Sequence, residues 1–158
     1  MTIIEDKFPD IETDPYDGFL HRTYDEAVDI ATAKGLVVRA PGPRELFIDI
    51  DSNSQYETFQ SQLNAMPRGL VYSWSQSKSP SGDAGHWHVV VTLSRDISSD
   101  LERILLQSLL GSDPMRELLS WRRVEDGSDS DAVSLFFEKP GWDAPVRALP
   151  AMQEPSCE

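Results

Sequence analysis

The sequence predicts an α+β domain, because helix-like and strand-like segments follow one another along its central part. Apolar residues three and four positions apart indicate helices, and short β-branched or aromatic runs between turn residues indicate strands. From residue 45 onward the predicted order is strand, helix, strand, strand, helix, strand. This is the βαββαβ order of ferredoxin-like and RNA-recognition-type (RRM-like) folds. In that plan the first and third strands are antiparallel neighbours.

Length and composition restrict the class of protein. A chain of 158 residues predicts one domain, and the single cysteine, Cys157, gives no disulfide framework. Neither a signal-peptide pattern nor an apolar run of membrane-spanning length is present in the sequence. We therefore expect a cytoplasmic protein that has no membrane partner. The net charge of −13 counts against indiscriminate binding to nucleic acid.

The chain divides into three predicted parts. Residues 1–22 form an acidic irregular arm, residues 23–140 a single α+β domain, and residues 141–158 an irregular proline-rich tail. Thr23 and Glu26 have the spacing of a capping box, so they open a helix that Gly35 ends. This helix and a short strand after it give the core a helical and irregular N-terminal extension.

The core elements are delimited by caps, prolines and glycines. Pro67 and Gly69 end the first core helix, Ser99 caps the second, and Pro114 occupies the first position of a further helix. We predict, in order, a strand over 45–50, a helix over 52–65, strands over 70–76 and 86–93, helices over 99–110 and 114–123, and a strand over 133–138.

Four metal-binding side-chain types are predicted to meet at one end of the sheet. Asp49 and Asp51 share a face at the end of the first strand, and His86 and His88 share a face at the start of the third. Antiparallel pairing brings these ends together, and carboxylate with imidazole suits a divalent metal. The plainer interpretation makes the aspartates turn residues and the histidines surface residues. Asp113, before a proline, is itself typical of an N-cap.

Cationic and backbone groups for binding phosphate lie near the same end. The loop 77–85 is rich in glycine and serine, and it offers Lys78 and free backbone N–H groups. Arg122 and Arg123 are adjacent in the last predicted helix. These arginines are either a phosphate-binding pair or part of a solvated face.

Three motifs, in order, resemble the archaeo-eukaryotic primase (primase–polymerase) superfamily. Phe47–Asp51 resembles its hydrophobic-D-x-D motif. Ser79–Leu93 is similar to its second motif, in which a serine- and glycine-rich loop precedes a histidine and a hydrophobic strand. Leu110–Arg116, followed by Arg122 and Arg123, resembles the third region of minimal phage and plasmid members. His86 stands where many members have serine, and Asp113 follows a serine rather than a hydrophobic residue.

The resemblance implies a metal-dependent nucleotidyltransferase of primase or polymerase type, with Mg²⁺ or Mn²⁺ as cofactor. Asp49 and Asp51 would bind the metal, with Asp113 as a candidate third acid, and His88 would act with them as a catalytic residue. We expect seven residues to bind the nucleotide: Lys78, Ser81, Gly82, His86, His88, Arg122 and Arg123. The implied partners are nucleoside triphosphates and single-stranded DNA or a primer–template.

Two other functions can be compared with this one. A rolling-circle-type endonuclease needs a tyrosine after its two histidines, and all four tyrosines precede His86. The alternative that remains is a catalytically inactive acidic accessory or inhibitor protein of phage type. Such a protein would bind a protein partner, with its acidic residues imitating the charge of nucleic acid.

Overall fold

The computed structural model describes residues 23–78 and 85–140, together with the backbone of a strand at 146–148. The described residues form four α-helices and two antiparallel sheets. In chain order, these elements are α1 (Tyr24–Ala33), β1 (Val37–Arg39), β2 (Glu45–Ile50), α2 (Asn53–Ala65), β3 (Val71–Lys78), β4 (Trp87–Leu93), α3 (Asp100–Leu109), α4 (Pro114–Glu125), a 3₁₀ turn (Ser130–Ala132), β5 (Phe136–Glu138) and β6 (Val146–Ala148). The predicted acidic arm, 1–22, lies outside the described residues.

Each described α-helix begins at a side-chain cap. The four caps are Thr23, Ser52, Ser99 and Asp113, and each side chain accepts a hydrogen bond from the backbone N–H three residues later. Such caps satisfy donors that have no partner within the helix. The longest of these helices, α2, has 13 residues. Within the described ranges, no helix combines the length and apolar character needed to cross a membrane.

The larger sheet has the strand order β2-β4-β3-β6. Strands β2 and β4 are antiparallel, with Asp49 opposite His88 and Ile50 opposite Trp87. The predicted antiparallel pairing of the first and third core strands is therefore confirmed. Strand β3 pairs with the other side of β4, and its Ser77 lies opposite His88.

The last core strand does not take the place that the βαββαβ plan gives it. β5, which corresponds to the predicted strand 133–138, pairs with β1 in a separate two-stranded sheet. The strand added to the large sheet is β6, which pairs with β3 and lies in the segment expected to be irregular. The α+β class is confirmed, whereas the ferredoxin-like arrangement is not. The two-stranded sheet lies over one face of the large sheet, where Phe136 stacks on Phe47.

The opposite face of the large sheet carries the main core. Leu46, Ile48 and Ile50 of β2 lie beside the alternate apolar residues of β4 and are fully buried. Phe59 and Leu63 of α2 pack against them. The alternation of apolar residues along β2 thus fixes which of its side chains enter this core and which, including Asp49, face the other way.

Strand β2 is an edge strand, and helices α3 and α4 satisfy its outer backbone groups. The Phe47 N–H donates to Oε1 of Gln107 at 2.8 Å, and the Phe47 carbonyl accepts from Arg116 at 2.9 Å. One position earlier on the same edge, the Glu45 carbonyl accepts from Arg103 at 3.2 Å. These side chains occupy the edge where a further strand would pair, which explains why β5 does not join here.

The same edge continues at Asp49. Its N–H donates to Oγ of Ser112 at 3.0 Å, and its carbonyl accepts from the N–H of Asp113 at 2.8 Å. Ser112 in turn donates to Glu117, which is only 3% exposed. Glu117 also accepts from Gln107 at 2.9 Å and from Arg116. One buried carboxylate therefore joins the side chains that hold the β2 edge.

Replacing Gln107 tests this network. Gln107→Ala leaves the buried Phe47 N–H without its acceptor and removes a donor from Glu117. Because each unsatisfied buried polar group costs about 1–3 kcal/mol, we expect the free energy of unfolding in urea to fall by about 2–4 kcal/mol. Gln60→Ala, at an exposed position of α2, is the matched control and should change it by less than about 0.5 kcal/mol. Equal effects of the two substitutions would contradict the network.

Candidate functional site

Three element ends meet at the candidate site: the end of β2, the start of β4 and the start of α4. The Nε2 atom of His88 lies 3.9 Å from Oδ1 of Asp49, and Nδ1 of His86 lies 3.4 Å from Oδ1 of Asp51. The structure therefore brings together the four side chains that the sequence placed at this end of the sheet. The β2–β4 register is the direct cause, because it puts Asp49 opposite His88.

Asp113 joins the site as both a helix cap and a nearby charge. Its Oδ2 accepts from the N–H of Arg116 at 2.9 Å, so the N-cap interpretation is confirmed. Its own N–H donates to the Asp49 carbonyl, which fixes the start of α4 against the end of β2. Its carboxylate contributes to raising the pKa values of Asp49 and Asp51, so three acids interact electrostatically here.

Asp49 carries an unfavourable charge. Burial raises its pKa to about 6, and the neighbouring carboxylates of Asp51, Asp113 and Glu117 act in the same direction. Arg116 opposes this shift but does not cancel it. At neutral pH the Asp49 carboxylate is thus ionised at a free-energy cost, which a cation placed beside it would offset.

Asp51 is more exposed than Asp49. Its pKa is raised by partial burial and by Asp113, and His86 lowers it. The Asp51 N–H donates to Oε1 of Gln55 at 2.6 Å, which ties the end of β2 to the first turn of α2. Asp51 therefore presents its carboxylate at the solvent-facing side of the site, and Asp49 presents its own at the buried side.

His88 is buried and uncharged. Burial, reinforced by Arg116, lowers its pKa to about 3, so its imidazole is neutral at physiological pH and its contacts with acids are not ion pairs. Its ring is parallel to that of Phe136 with centroids 4.0 Å apart, so its orientation is fixed by stacking. Its Nδ1 atom is buried and has no hydrogen-bond partner in the described part of the protein.

Glu138 is a site residue that the sequence analysis missed. Its Oε1 lies 4.0 Å from Nδ1 of His88, and burial raises its pKa while Arg39 lowers it. Glu138 and Phe136 lie on the same face of β5, so the strand that stacks on His88 also carries the acid next to it. The sequence signal was this two-residue spacing, but it gave no indication that β5 covers the site.

The predicted nucleotide-binding residues are not all at the site. Lys78 lies opposite Trp87, so the register places it on the sheet face away from Asp49 and His88. Arg123 is buried and donates to the carbonyl of Val133 at 3.0 Å, which is a structural role. Arg122 lies beside it in the last turn of α4, roughly 14 Å along the helix from Asp113. Ser81 and Gly82 lie outside the described residues.

Arg116, one turn into α4, is the arginine nearest the carboxylates. It donates to Glu117 at 2.6 Å and to the carbonyls of Phe47 and Leu135, and its guanidinium lies over the ring of Phe136. These contacts use several of its donors, so its role is to position the site and lower the pKa of Asp49. Among the described residues, no three acidic, histidine or cysteine side chains are arranged closely enough to hold a metal ion.

Comparison with known proteins adds no relative. No family model, curated protein or solved structure matches this chain.

The raised pKa of Asp49 predicts a pH-dependent gain in stability for Asp49→Asn. The carboxyl is protonated more readily in the folded protein, so ionisation destabilises the fold as pH rises from the unfolded value of 3.8 through about 6. We expect Asp49→Asn to raise the free energy of unfolding by about 2–3 kcal/mol at pH 7, and the gain should disappear below pH of about 4. Chemical unfolding across this pH range measures it.

Asp29→Asn, at an exposed position of α1, is the control for removing one negative charge from an acidic protein. A gain that is equal for both substitutions, or that persists unchanged at low pH, would contradict the assigned burial of the Asp49 charge.

Proposed function

We propose that this protein is a metal-dependent nucleotidyltransferase of primase or polymerase type that acts on nucleoside triphosphates with a DNA template or primer. The observation that supports this proposal is the pairing of Asp49 with His88 across β2 and β4, with Asp51 and Asp113 at the same end of the sheet. This geometry agrees with the order and chemistry of the motifs that resemble primase–polymerases.

The carboxylates of the site fit a divalent cation chemically. Asp49 and Asp51 would be its ligands, with Asp113 as the third acid, and oxygen donors are the ligands that Mg²⁺ and Mn²⁺ prefer. The raised pKa of Asp49 reflects negative charge that no nearby cation neutralises in full. When bound, the metal would lower the pKa of an attacking hydroxyl and neutralise charge on the triphosphate.

His88 would contribute a neutral hydrogen-bond donor. Its Nδ1 makes no hydrogen bond, so the tautomer protonated on Nε2 avoids burying an unsatisfied N–H. Nε2 is the nitrogen nearest Asp49, and its proton is therefore available to a phosphate oxygen at the carboxylate end of the sheet. Stacking on Phe136 holds the ring in this orientation and reduces the entropy lost when substrate binds.

An exposed aromatic residue on β3 would serve the template. Tyr72 is 70% exposed, whereas Trp74, two residues later, is buried in the core. An exposed aromatic ring stacks on bases of any sequence, and this compensates in part for a net charge that opposes DNA binding. Of the two aromatic residues on this strand, Tyr72 is therefore the one we assign to base contact.

Calorimetric titration with Mn²⁺, in the presence and absence of a deoxynucleoside triphosphate, tests the proposal. We expect nucleotide binding that depends on Mn²⁺, and an affinity at least about tenfold lower in Asp49→Asn and Asp51→Asn because each loses a charged ligand. Asp29→Asn should bind as the wild type does. Primer extension by the same proteins then measures activity.

The stability of Asp49→Asn makes the negative result interpretable. Because this variant should be at least as stable as the wild type at pH 7, a loss of binding cannot be attributed to unfolding. A folded wild type that binds no nucleotide with Mn²⁺ or Mg²⁺ would contradict the proposal. That result would favour the acidic accessory protein, whose binding to a protein partner would tolerate both substitutions.

A further inference from the structure

The outward side of helices α3 and α4 is apolar. Leu101, Leu105 and Leu109 are spaced four residues apart on α3, and the most exposed of them, Leu105, is 66% exposed. Helix α4 adds three more large apolar side chains that are more than 40% exposed. We call the six residues together the α3/α4 face: Leu101, Leu105, Leu109, Met115, Leu118 and Trp121.

The inward side of the same helices is largely polar. The buried polar side chains of α3 and α4 are Arg103, Gln107, Glu117, Ser120 and Arg123. A helix on the surface of a monomer normally buries its apolar side and exposes its polar side. Here the polar side chains are needed inside, because they satisfy the β2 edge. The apolar residues are consequently left on the outside, where a contiguous patch indicates a binding surface.

A groove runs between the two helices. It encloses about 320 Å³ and opens to solvent, and its walls include Ile104, Leu118 and Trp121. Leu105 follows Ile104 on α3 and projects beside the groove. The face therefore offers both a projecting leucine and a groove that can receive an apolar side chain. A half-exposed tryptophan at the groove is also the residue type that most often dominates the energy of an interface.

Charge decides which occupant fits this face. The chain carries a net charge of −13, yet the fully exposed positions of α3 and α4 are uncharged as far as Trp121. Two copies of an acidic chain repel each other wherever their acids meet. A face without charges is the surface through which they can approach, and an uncharged apolar patch is complementary to itself. A basic partner, by contrast, would gain nothing from this face.

We propose that the α3/α4 face is the interface of a two-fold symmetric homodimer. The symmetry places Leu105 of each copy in the groove beside Trp121 of the other, so that the same pair of contacts is made twice. The proposal is independent of the nucleotidyltransferase activity, because it uses none of the residues at the sheet end.

Sedimentation velocity over a series of protein concentrations tests the dimer. We expect the wild type to pass from monomer to dimer as its concentration rises. Leu105→Glu should weaken association at least about tenfold, because it places a charge in each copy of the interface. Tyr72→Glu adds the same charge at an exposed aromatic residue on β3, outside the face, and should leave the association constant unchanged.

Salt concentration gives an independent readout. Added NaCl screens the repulsion between two copies of charge −13, so it should strengthen wild-type association. If Leu105→Glu proves thermally less stable than the wild type, Leu105→Gln tests the same contact without adding charge. A wild type that stays monomeric at every concentration, or a Leu105 variant that dimerises as tightly as the wild type, would overturn the proposal. A monomer would leave the face to another partner.

Discussion

The outer edge of strand β2 is the constraint on which the rest of the described structure depends. An edge strand exposes unpaired backbone groups, and here Gln107, Arg116 and Ser112 bind them in place of a neighbouring strand. The buried Glu117 holds these three side chains in one network. Removing any member leaves buried polar groups unsatisfied, so the network is stable only when it is complete.

This edge also positions the candidate site. The Asp49 backbone is held on one side by Ser112 and on the other by the N–H of Asp113, while pairing with β4 places His88 opposite. The aspartates therefore meet because a strand edge and a helix start are joined by hydrogen bonds. The resulting site is negatively charged, and its buried aspartate has a raised pKa. A site that holds such charge at a cost to stability is typical of one that binds a cation.

Much of this arrangement was predictable because it follows from local rules. The caps at Ser52 and Ser99, and the alternation along β2, predicted the helix starts and the shared face of Asp49 and Asp51. Antiparallel pairing then predicted His88 beside them. The partner of β5 was not predictable, because strand periodicity identifies a strand without specifying its neighbour. The burial of Arg123 and the role of Glu138 were missed for the same reason, since both depend on long-range packing. The buried polar side of α3 and α4 runs against the usual rule that apolar faces turn inward.

Hydrogen exchange of the β2 amides tests the central claim most directly. The N–H groups of Phe47 and Asp49 point away from β4, and on an open edge they would exchange with solvent much faster than those of Leu46, Ile48 and Ile50. Because Gln107 and Ser112 accept from them, we predict protection close to that of the inward-pointing amides. Fast exchange at Phe47 and Asp49, with slow exchange at their neighbours, would contradict the claim that α3 and α4 complete this edge.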